Sequence, residues 1–267
     1  MELRSLASGS SGNAYLVRDG RTSLLIDAGI SARRLEAALR AEGLEPRNLT
    51  GIIISHEHSD HVRGAAQFAL RHHTPVHTSA GTYQAMGSPA TLDWRALSGS
   101  RTVTIGTVEV TPIDVPHDAA EPLVFRLEAN HAAIAIATDF GCPTEAMHEA
   151  FAELELLVLE ANHDEEWLWR GSYPWSLKKR VAGERGHISN ETAAGIIAGL
   201  GGRAPRSVWL AHLSKHNNAP EHALRVVGSS LARSVPGPIE LLVAERDHVS
   251  LKWTSDTVTR QLALNLH

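Results

Sequence analysis

A single cysteine, Cys142, rules out an internal disulfide framework and makes a reducing cytoplasm the expected compartment. Long apolar runs are missing as well: none reaches the roughly 20 residues that span a bilayer. The opening MELRSLASGSSGN has no basic region followed by an apolar stretch, so neither a membrane segment nor a secretory signal is expected. Positive charge is not in excess. A formal net charge of −5 excludes a globally basic nucleic-acid binder, although it leaves room for a local basic surface. Aromatic residues are scarce at 5%, which makes any local crowding of them informative. Repeats and low-complexity tracts are absent too. What remains is 267 residues, 43% of them apolar, enough for a soluble globular protein read as one domain over 1–267.

Strand-like and helix-like stretches alternate in a recognisable order. LRSLA and AYLVR flank a Gly/Ser loop, and Asp19-Gly20 predicts a tight hairpin into TSLLIDAG. Ser31 should cap a helix through ARRLEAALRAE that Gly43 ends. GIIIS reads as a short strand covered on both faces. Val62, Ala65, Ala66, Ala69 and Leu70 recur at helical spacing and predict one helix from Asp60 to His72. Three or four strands in a meander follow across TVTIGTVEVTPIDV, PLVFRLEA and AAIAIATDFG. A helix near 143–153 then precedes the buried strand ELLVLEA. NETAAGIIAGL reads as a helix, SVWLAH as a strand, and APEHALRVVGSSLA as a helix before a closing pair of strands, IELLVA and VSLKW. Two mixed β-sheets face to face with helices outside, a four-layer αββα sandwich of the α/β class, is the expected architecture.

Histidine is the residue in surplus, with 16 copies. Residues 54–65 read ISHEHSDHVRGA and crowd His56, Glu57, His58, Asp60 and His61 between a strand end and a helix start. Buried without partners, such a cluster is costly. A cation makes it favourable, and two histidines spaced by two can converge on one ion from extended backbone.

The run H56-E-H58-S-D60-H61 resembles the signature of the metallo-β-lactamase (MBL) fold superfamily. Further motifs of that superfamily occur in order: His117 in VPHDA, Asp139 in ATDFG and His212 in WLAHLS. The resemblance implies that His56, His58 and His117 hold one metal and Asp60, His61 and His212 the other, with Asp139 bridging. Imidazoles and carboxylates without a thiolate suit two divalent ions, Zn²⁺ or Mn²⁺, with Fe²⁺ also possible. Two such ions about 3.5–4 Å apart bind a water as hydroxide near neutral pH. Asp27 in LLIDAG is either an outer-shell partner of a ligating histidine or a turn residue.

SGSSGN at 8–13, HDAAEP at 117–122, LEANHD at 159–164, GHISNE at 186–191 and LSKHNNAPE at 213–221 together look like the YycJ/WalJ-type MBL-fold proteins. That resemblance covers nearly the whole chain and implies a 5′→3′ DNA exonuclease with a bridged hydroxide as nucleophile, linked in some bacteria to DNA repair. A small-molecule ester, thioester or lactone hydrolase is the alternative. A di-iron redox protein would require electron-carrier machinery that is missing here, and a non-catalytic module conflicts with the intact ligand set. His187 resembles the histidine that MBL-fold ribonucleases place near the scissile phosphate, and Glu160 the carboxylate that orients it. Together with Asp60 these are the candidate catalytic residues. The leaving sugar oxygen needs a proton from a group with pKa near 7. The competing reading makes His187 an ordinary helix N-terminal residue.

Trp167, Trp169, Tyr173 and Trp175 crowd together, and Arg170, Lys178, Lys179 and Arg180 interleave with them or follow closely. Rings could stack on unpaired bases while cations meet phosphates, or the segment could be an amphipathic helical pair packed on the core. Ser8 and Asn13 bound a loop that could offer backbone N–H groups to a phosphate or be a plain turn. His163 and His216 are further candidate substrate contacts, beside Trp167, Lys178 and Lys179. His72 and His73 fit a helix C-terminus. His77, His131, His148, His222, His248 and His267 are assigned to surface or satisfied core, and Cys142 to packing.

Overall fold

The computed structural model describes residues 1–87, 89–235 and 237–255. His267 and the last part of the 1–267 span lie outside them. The first sheet is built by β1 (Glu2–Ala7), β2 (Ala14–Asp19), β3 (Thr22–Ile26), β4 (Gly51–Ile53), β5 (Val76–Thr78) and β6 (Trp94–Ala96). The second takes β7 (Val103–Ile105), β8 (Val108–Asp114), β9 (Leu123–Ala129), β10 (Ala132–Ala137), β11 (Leu156–Glu160), β12 (Ser207–Ala211) and β13 (Glu240–Val243). The last described strand, β14 (Lys252–Thr254), returns to the first sheet beside β1, in the order β14-β1-β2-β3-β4-β5-β6. Helices α1 (Ala32–Ala41), α2 (Ser59–Val62), α3 (Ala65–His72) and α4 (Ala80–Ala85) belong to the first half. The second half carries α5 (Glu145–Ala150), α6 (Glu165–Arg170), α7 (Trp175–Val181), α8 (Asn190–Gly199) and α9 (Pro220–Ser234).

Period-two alternation assigns the faces. Along β11, Leu156 and Val158 join a core shared with Tyr15, Val17 and Ile26 of the first sheet, whereas Leu157 and Leu159 pack outward with α8 and α9. On the other side Leu16, Leu25 and Ile52 meet Leu35 and Leu39 of α1 and Phe68 of α3. These three apolar layers hold two sheets between two helical layers, the expected αββα sandwich. Both sheets are mixed: β8 to β10 form the antiparallel meander, while β10 to β13 run parallel. Parallel strands place their C-terminal ends on one rim, where α/β folds gather functional loops.

Local signals explain most elements. Ser31 Oγ accepts from Arg34 N at 3.4 Å to start α1, and Gly43 at φ 72° follows its end. Two expectations fail. The predicted 60–72 helix is broken into α2 and α3, because Gly64 N donates to Ala28 O at 2.8 Å and a Cβ at 64 would lie 2.2 Å from Ile30 O. IELLVA and VSLKW are not a pair: β13 joins β12 in one sheet and β14 joins β1 in the other.

His77, on β5, is 6% exposed, its Nε2 has no hydrogen-bond partner among the described residues, and its ring packs over Gly51. Burial lowers its pKa to about 4 from 6.5. The unfolded chain therefore binds the extra proton first, so stability present above pH 6.5 is lost as pH falls toward 4. Fully expressed, a shift of that size is worth ~3 kcal/mol. His77→Leu is expected to flatten the decline of the urea midpoint between pH 7 and 5. Parallel profiles for the two proteins would show that His77 titrates without this penalty.

Candidate active site

The site lies on the rim where β4, β8, β10, β11 and β12 end. His56, His58, Asp60 and His61 follow β4, His117 follows β8, Asp139 follows β10, Glu160 ends β11 and His212 follows β12. Three loops interlock beneath them: Asn13 N donates to Asp60 O at 2.8 Å, Ala28 N to His61 O at 2.8 Å, and Gly29 N to Asn13 O at 2.9 Å. A Cβ at position 29 would fall 1.6 Å from Asp60 O, so only glycine lets the loops approach this closely. Asp27, Asp139 and His212 all adopt left-handed backbone, with φ 58°, 65° and 52°. Such conformations persist when surrounding contacts over-determine them, and they collect at functional sites.

All seven candidate metal ligands converge. Nitrogen and oxygen atoms lie within 4.8 Å of one another in the sets His56–His58–His117, His56–His61–Asp139, Asp60–His61–His212 and Asp139–Glu160–His187–His212. Most rings are pinned through Nδ1. His61 Nδ1 meets Asp27 Oδ2 at 2.7 Å, His56 Nδ1 meets Ser55 Oγ at 3.0 Å, and His117 Nδ1 meets Gly186 O at 3.1 Å. His212 Nδ1 donates to Glu160 Oε1 at 2.8 Å. Fixing Nδ1 commits Nε2 of each ring to the centre, the tautomer a cation needs. Asp27 thus sits behind His61, and Ser55 ties it to His56.

Three buried atoms aimed into the centre have no hydrogen-bond partner among the described residues: His56 Nε2, Asp139 Oδ2 and His212 Nε2. His61 Nε2 stands 3.3 Å from Asp139 Oδ2, and His212 Nε2 stands 3.5 Å from Asp60 Oδ2. Orphaned buried polar atoms of imidazole and carboxylate are what a divalent cation satisfies, so the residues fit metal ions. The electrostatics agree. Burial disfavours charge throughout, yet Asp27 and Asp139 raise the His61 pKa well above normal, and Asp139, Asp60 and Glu160 raise that of His212. Burial would raise Asp139, but the His212 and His61 charges hold it well below the usual carboxylate range. Burial and the His61 charge push His56 down, and burial lowers His117. The carboxylates around His61 and His212 thus favour positive charge there, whereas the His56 and His117 side disfavours it.

A cleft of about 160 Å³ opens over the centre, lined by Asp60, Asp139, His187 and His212 together with Asp118 and Arg180. Glu160, fully buried, receives His187 Nδ1 at 2.9 Å on Oε1 and Ile188 N at 3.1 Å on Oε2. One oxygen therefore orients both His187 and His212. Burial opposes protonation of His187, but the Glu160 and Asp139 charges and the Glu160 hydrogen bond raise its pKa above normal.

Of the candidate substrate contacts, some are turned to protein partners and others are exposed. Ser8 is buried, with Oγ accepting from Tyr15 Oη at 2.8 Å and from His212 N at 3.0 Å, so it supports the His212 turn. Asn13 is buried between Gly9 N and the His61 ring. The loop's N–H groups at Gly9, Gly12 and Asn13 are spent on protein acceptors. Lys178 is buried, its ammonium donating to Trp169 O at 2.7 Å. His163 is buried, and burial takes its pKa to about 4. Lys179 and His216 are exposed, the latter beside Tyr173. Trp167 is partly exposed and stacks on His222, which holds Asp164 at 2.6 Å. Cys142 lies near Glu184 O, away from the cleft lining. Sequence reasoning missed Ser55 and Asp118, each adjacent in sequence to a candidate ligand histidine, and singled out Lys178 where Arg180 is the cation in the cleft.

The chain belongs to the metallo-beta-lactamase superfamily, whose family model matches residues 7–146. It is similar to the exodeoxyribonuclease YycJ of Bacillus anthracis, 36% identical across 85% of this chain and 87% of that one. It is also similar to the exodeoxyribonuclease WalJ of Streptococcus pneumoniae, 33% identical across 86% and 87%. Among solved structures, the metallo-beta-lactamase fold protein YhfI from Bacillus subtilis matches with a TM-score of 0.72 over 95% of this chain and all of that one, at 16% identity. Human tRNase Z, short form, matches with a TM-score of 0.65 over 94% and 99%, at 15% identity. At these identities the structural matches speak for the fold alone. No helix among the described residues is long and apolar enough to cross a membrane.

Proposed function

We propose that the chain is a single-domain, metal-dependent phosphodiesterase that degrades DNA as an exodeoxyribonuclease, working in the cytoplasm. The observation that carries this reading is the Glu160–His187 pair, set at 2.9 Å in the same cleft as Asp60, Asp139 and His212. His56, His58 and His117 would hold one divalent ion and Asp60, His61 and His212 a second, with Asp139 between them. Zn²⁺ and Mn²⁺ suit these donors, and Fe²⁺ is compatible. When bound, the cations supply an activated water and neutralise charge on the phosphoryl oxygens. Every other part falls to the chain. Glu160 holds the His187 imidazole in its charged form with Nδ1 occupied, which leaves the Nε2 proton for the departing sugar oxygen. Asp27, Ser55 and the Gly186 carbonyl keep the ligand rings turned inward. The names of the YycJ and WalJ relatives support DNA as substrate, and a 5′→3′ direction with a place in DNA repair follows the same resemblance.

The test uses purified protein with Mn²⁺ or Zn²⁺ on end-labelled single-stranded and duplex DNA and RNA, beside Asp60→Ala. Nucleotides should be released from DNA by the wild type and not by the variant. Equal release by both would reduce the signal to contamination, and faster turnover of thioesters or lactones than of DNA would replace the nuclease reading.

A further inference from the structure

Segment 165–181 concentrates exposed rings. Trp167, Trp169 and Trp175 are 41%, 40% and 62% exposed, and among the described large apolar side chains only Leu70 is comparably open. A tryptophan left in water on a folded protein forgoes burial, which marks a surface that something else covers. Trp169 and Trp175 lie ring to ring, with centroids 5.2 Å apart, and Lys179 Nζ sits 5.5 Å over the Trp175 ring. The helix that carries Trp175 and Lys179, α7, is also a wall of the cleft. Leu177, Arg180 and Val181 line it, while Trp175 and Lys179, four residues apart, share another face. Arg180 lies angularly between the two faces. Trp175 and Lys179 therefore lie on the side of α7 away from Leu177 and Val181, and Arg180 is the cleft residue nearest them, about one helix diameter (~10 Å) across.

Charge favours a polyanion. Arg180 Nε is held by Asp118 at 2.5 Å and Arg170 by Glu166 at 2.5 Å, so these two carboxylates are already paired. Among the described residues no carboxylate pairs with Lys179, which lies over the Trp175 ring. A phosphate entering the cleft can exchange with Asp118 for the planar guanidinium, which suits a phosphoryl group. Base faces are available for stacking only where a strand is unpaired, since in a duplex each is covered by its neighbours.

We propose that the Arg180–Lys179–Trp175 face of α7, with Trp169 beside it, is the track along which an unpaired strand of the nucleic-acid substrate enters the cleft. The proposal rests on the nuclease reading and adds to it a preference for unpaired ends. Arg180 clamps a phosphate at the mouth, and Trp175 stacks a base a nucleotide or so beyond, with Lys179 on the intervening backbone.

The experiment is fluorescence anisotropy of the metal-loaded protein with a phosphorothioate 12-mer, single-stranded or as a blunt duplex, at several salt concentrations. Wild type should bind the single strand more tightly. Trp175→Ala should weaken that binding by about fivefold or more, as loss of one stacked base does, whereas Trp175→Phe keeps most of it. Lys179→Ala should make the salt dependence shallower. Arg180→Ala should weaken single strand and duplex together. Lys252→Ala, on edge strand β14, is the charge control. Trp175 and Lys179 are exposed, so these variants should fold, and a circular-dichroism melt verifies it. Unchanged single-strand affinity in Trp175→Ala and Lys179→Ala, in a protein that cuts DNA, overturns the track alone. A wild type that neither binds nor cuts DNA overturns the nuclease reading and the track with it.

Discussion

Replacing His187 with alanine is expected to leave the metal content intact and to lower DNA hydrolysis by about 10²- to 10⁴-fold, the range that a positioned general acid contributes. The two effects separate because of where the ring sits. His187 lines the cleft, but its Nδ1 is spent on Glu160 Oε1 at 2.9 Å and stands 3.6 Å from Asp139 Oδ1. His56, His58, Asp60, His61, His117, Asp139 and His212 form ligand sets without it. On the proposed roles, removing it would take away the proton donor and leave the seven candidate ligands in place. A substrate with a leaving group that departs unprotonated, such as a p-nitrophenyl phosphodiester, should lose much less than DNA does. Metal content measured by mass spectrometry and turnover on both substrates decide the matter. A variant that sheds its metal would make His187 a ligand, and one that cuts DNA normally would remove it from the mechanism.

Asp139→Asn should do the reverse, emptying the centre of metal and lowering activity by more than the roughly 10- to 100-fold typical of outer-shell losses. Asparagine is the appropriate replacement because position 139 has φ 65°, and asparagine tolerates that backbone with little strain. Size is nearly kept, so what disappears is the charge and one of the two acceptor oxygens. That charge is surrounded by imidazoles: His212 Nδ1 lies 3.4 Å from Oδ1, and His61 Nε2 3.3 Å from Oδ2. An amide is neutral and offers one carbonyl oxygen where the carboxylate offers two charged ones, so it would hold divalent ions far more weakly. Atomic absorption on the dialysed variant, with circular dichroism to verify folding, gives the answer. A full complement of metal in Asp139→Asn would displace this residue from the centre of the site.

Much of this site is legible in the sequence because its residues lie at strand ends. Strands are visible as short apolar runs, and a histidine or aspartate just past ELLVLE, AIAIA or SVWLA must fall on one rim of a parallel sheet. The spacing of His56, His58, Asp60 and His61 needs no tertiary information at all. Other features depend on contacts that spacing does not encode. Gly64 breaks a helix because Ala28 O and Ile30 O approach it from a distant loop. Strand β14 pairs with β1 from the far end of the chain, so adjacency of IELLVA and VSLKW in sequence misleads. Lys178, Lys179 and Arg180 are neighbours with one composition, yet helical geometry sends one inward to Trp169 O, one over Trp175 and one into the cleft. Ser8 and Asn13 look like a phosphate loop, but the close packing of three loops consumes their polar atoms.

The prospective cation donors hang from both sheets, His56 to His61 from the first and His117, Asp139 and His212 from the second. A ribosome exposes the 56–61 loop long before it has synthesised His212. That loop by itself would offer only part of the prospective donor set, so a chain without the second sheet is expected to hold the ions weakly. On the proposed ligand set, loading with metal would follow closure of the whole sandwich, and hydrolysis with it.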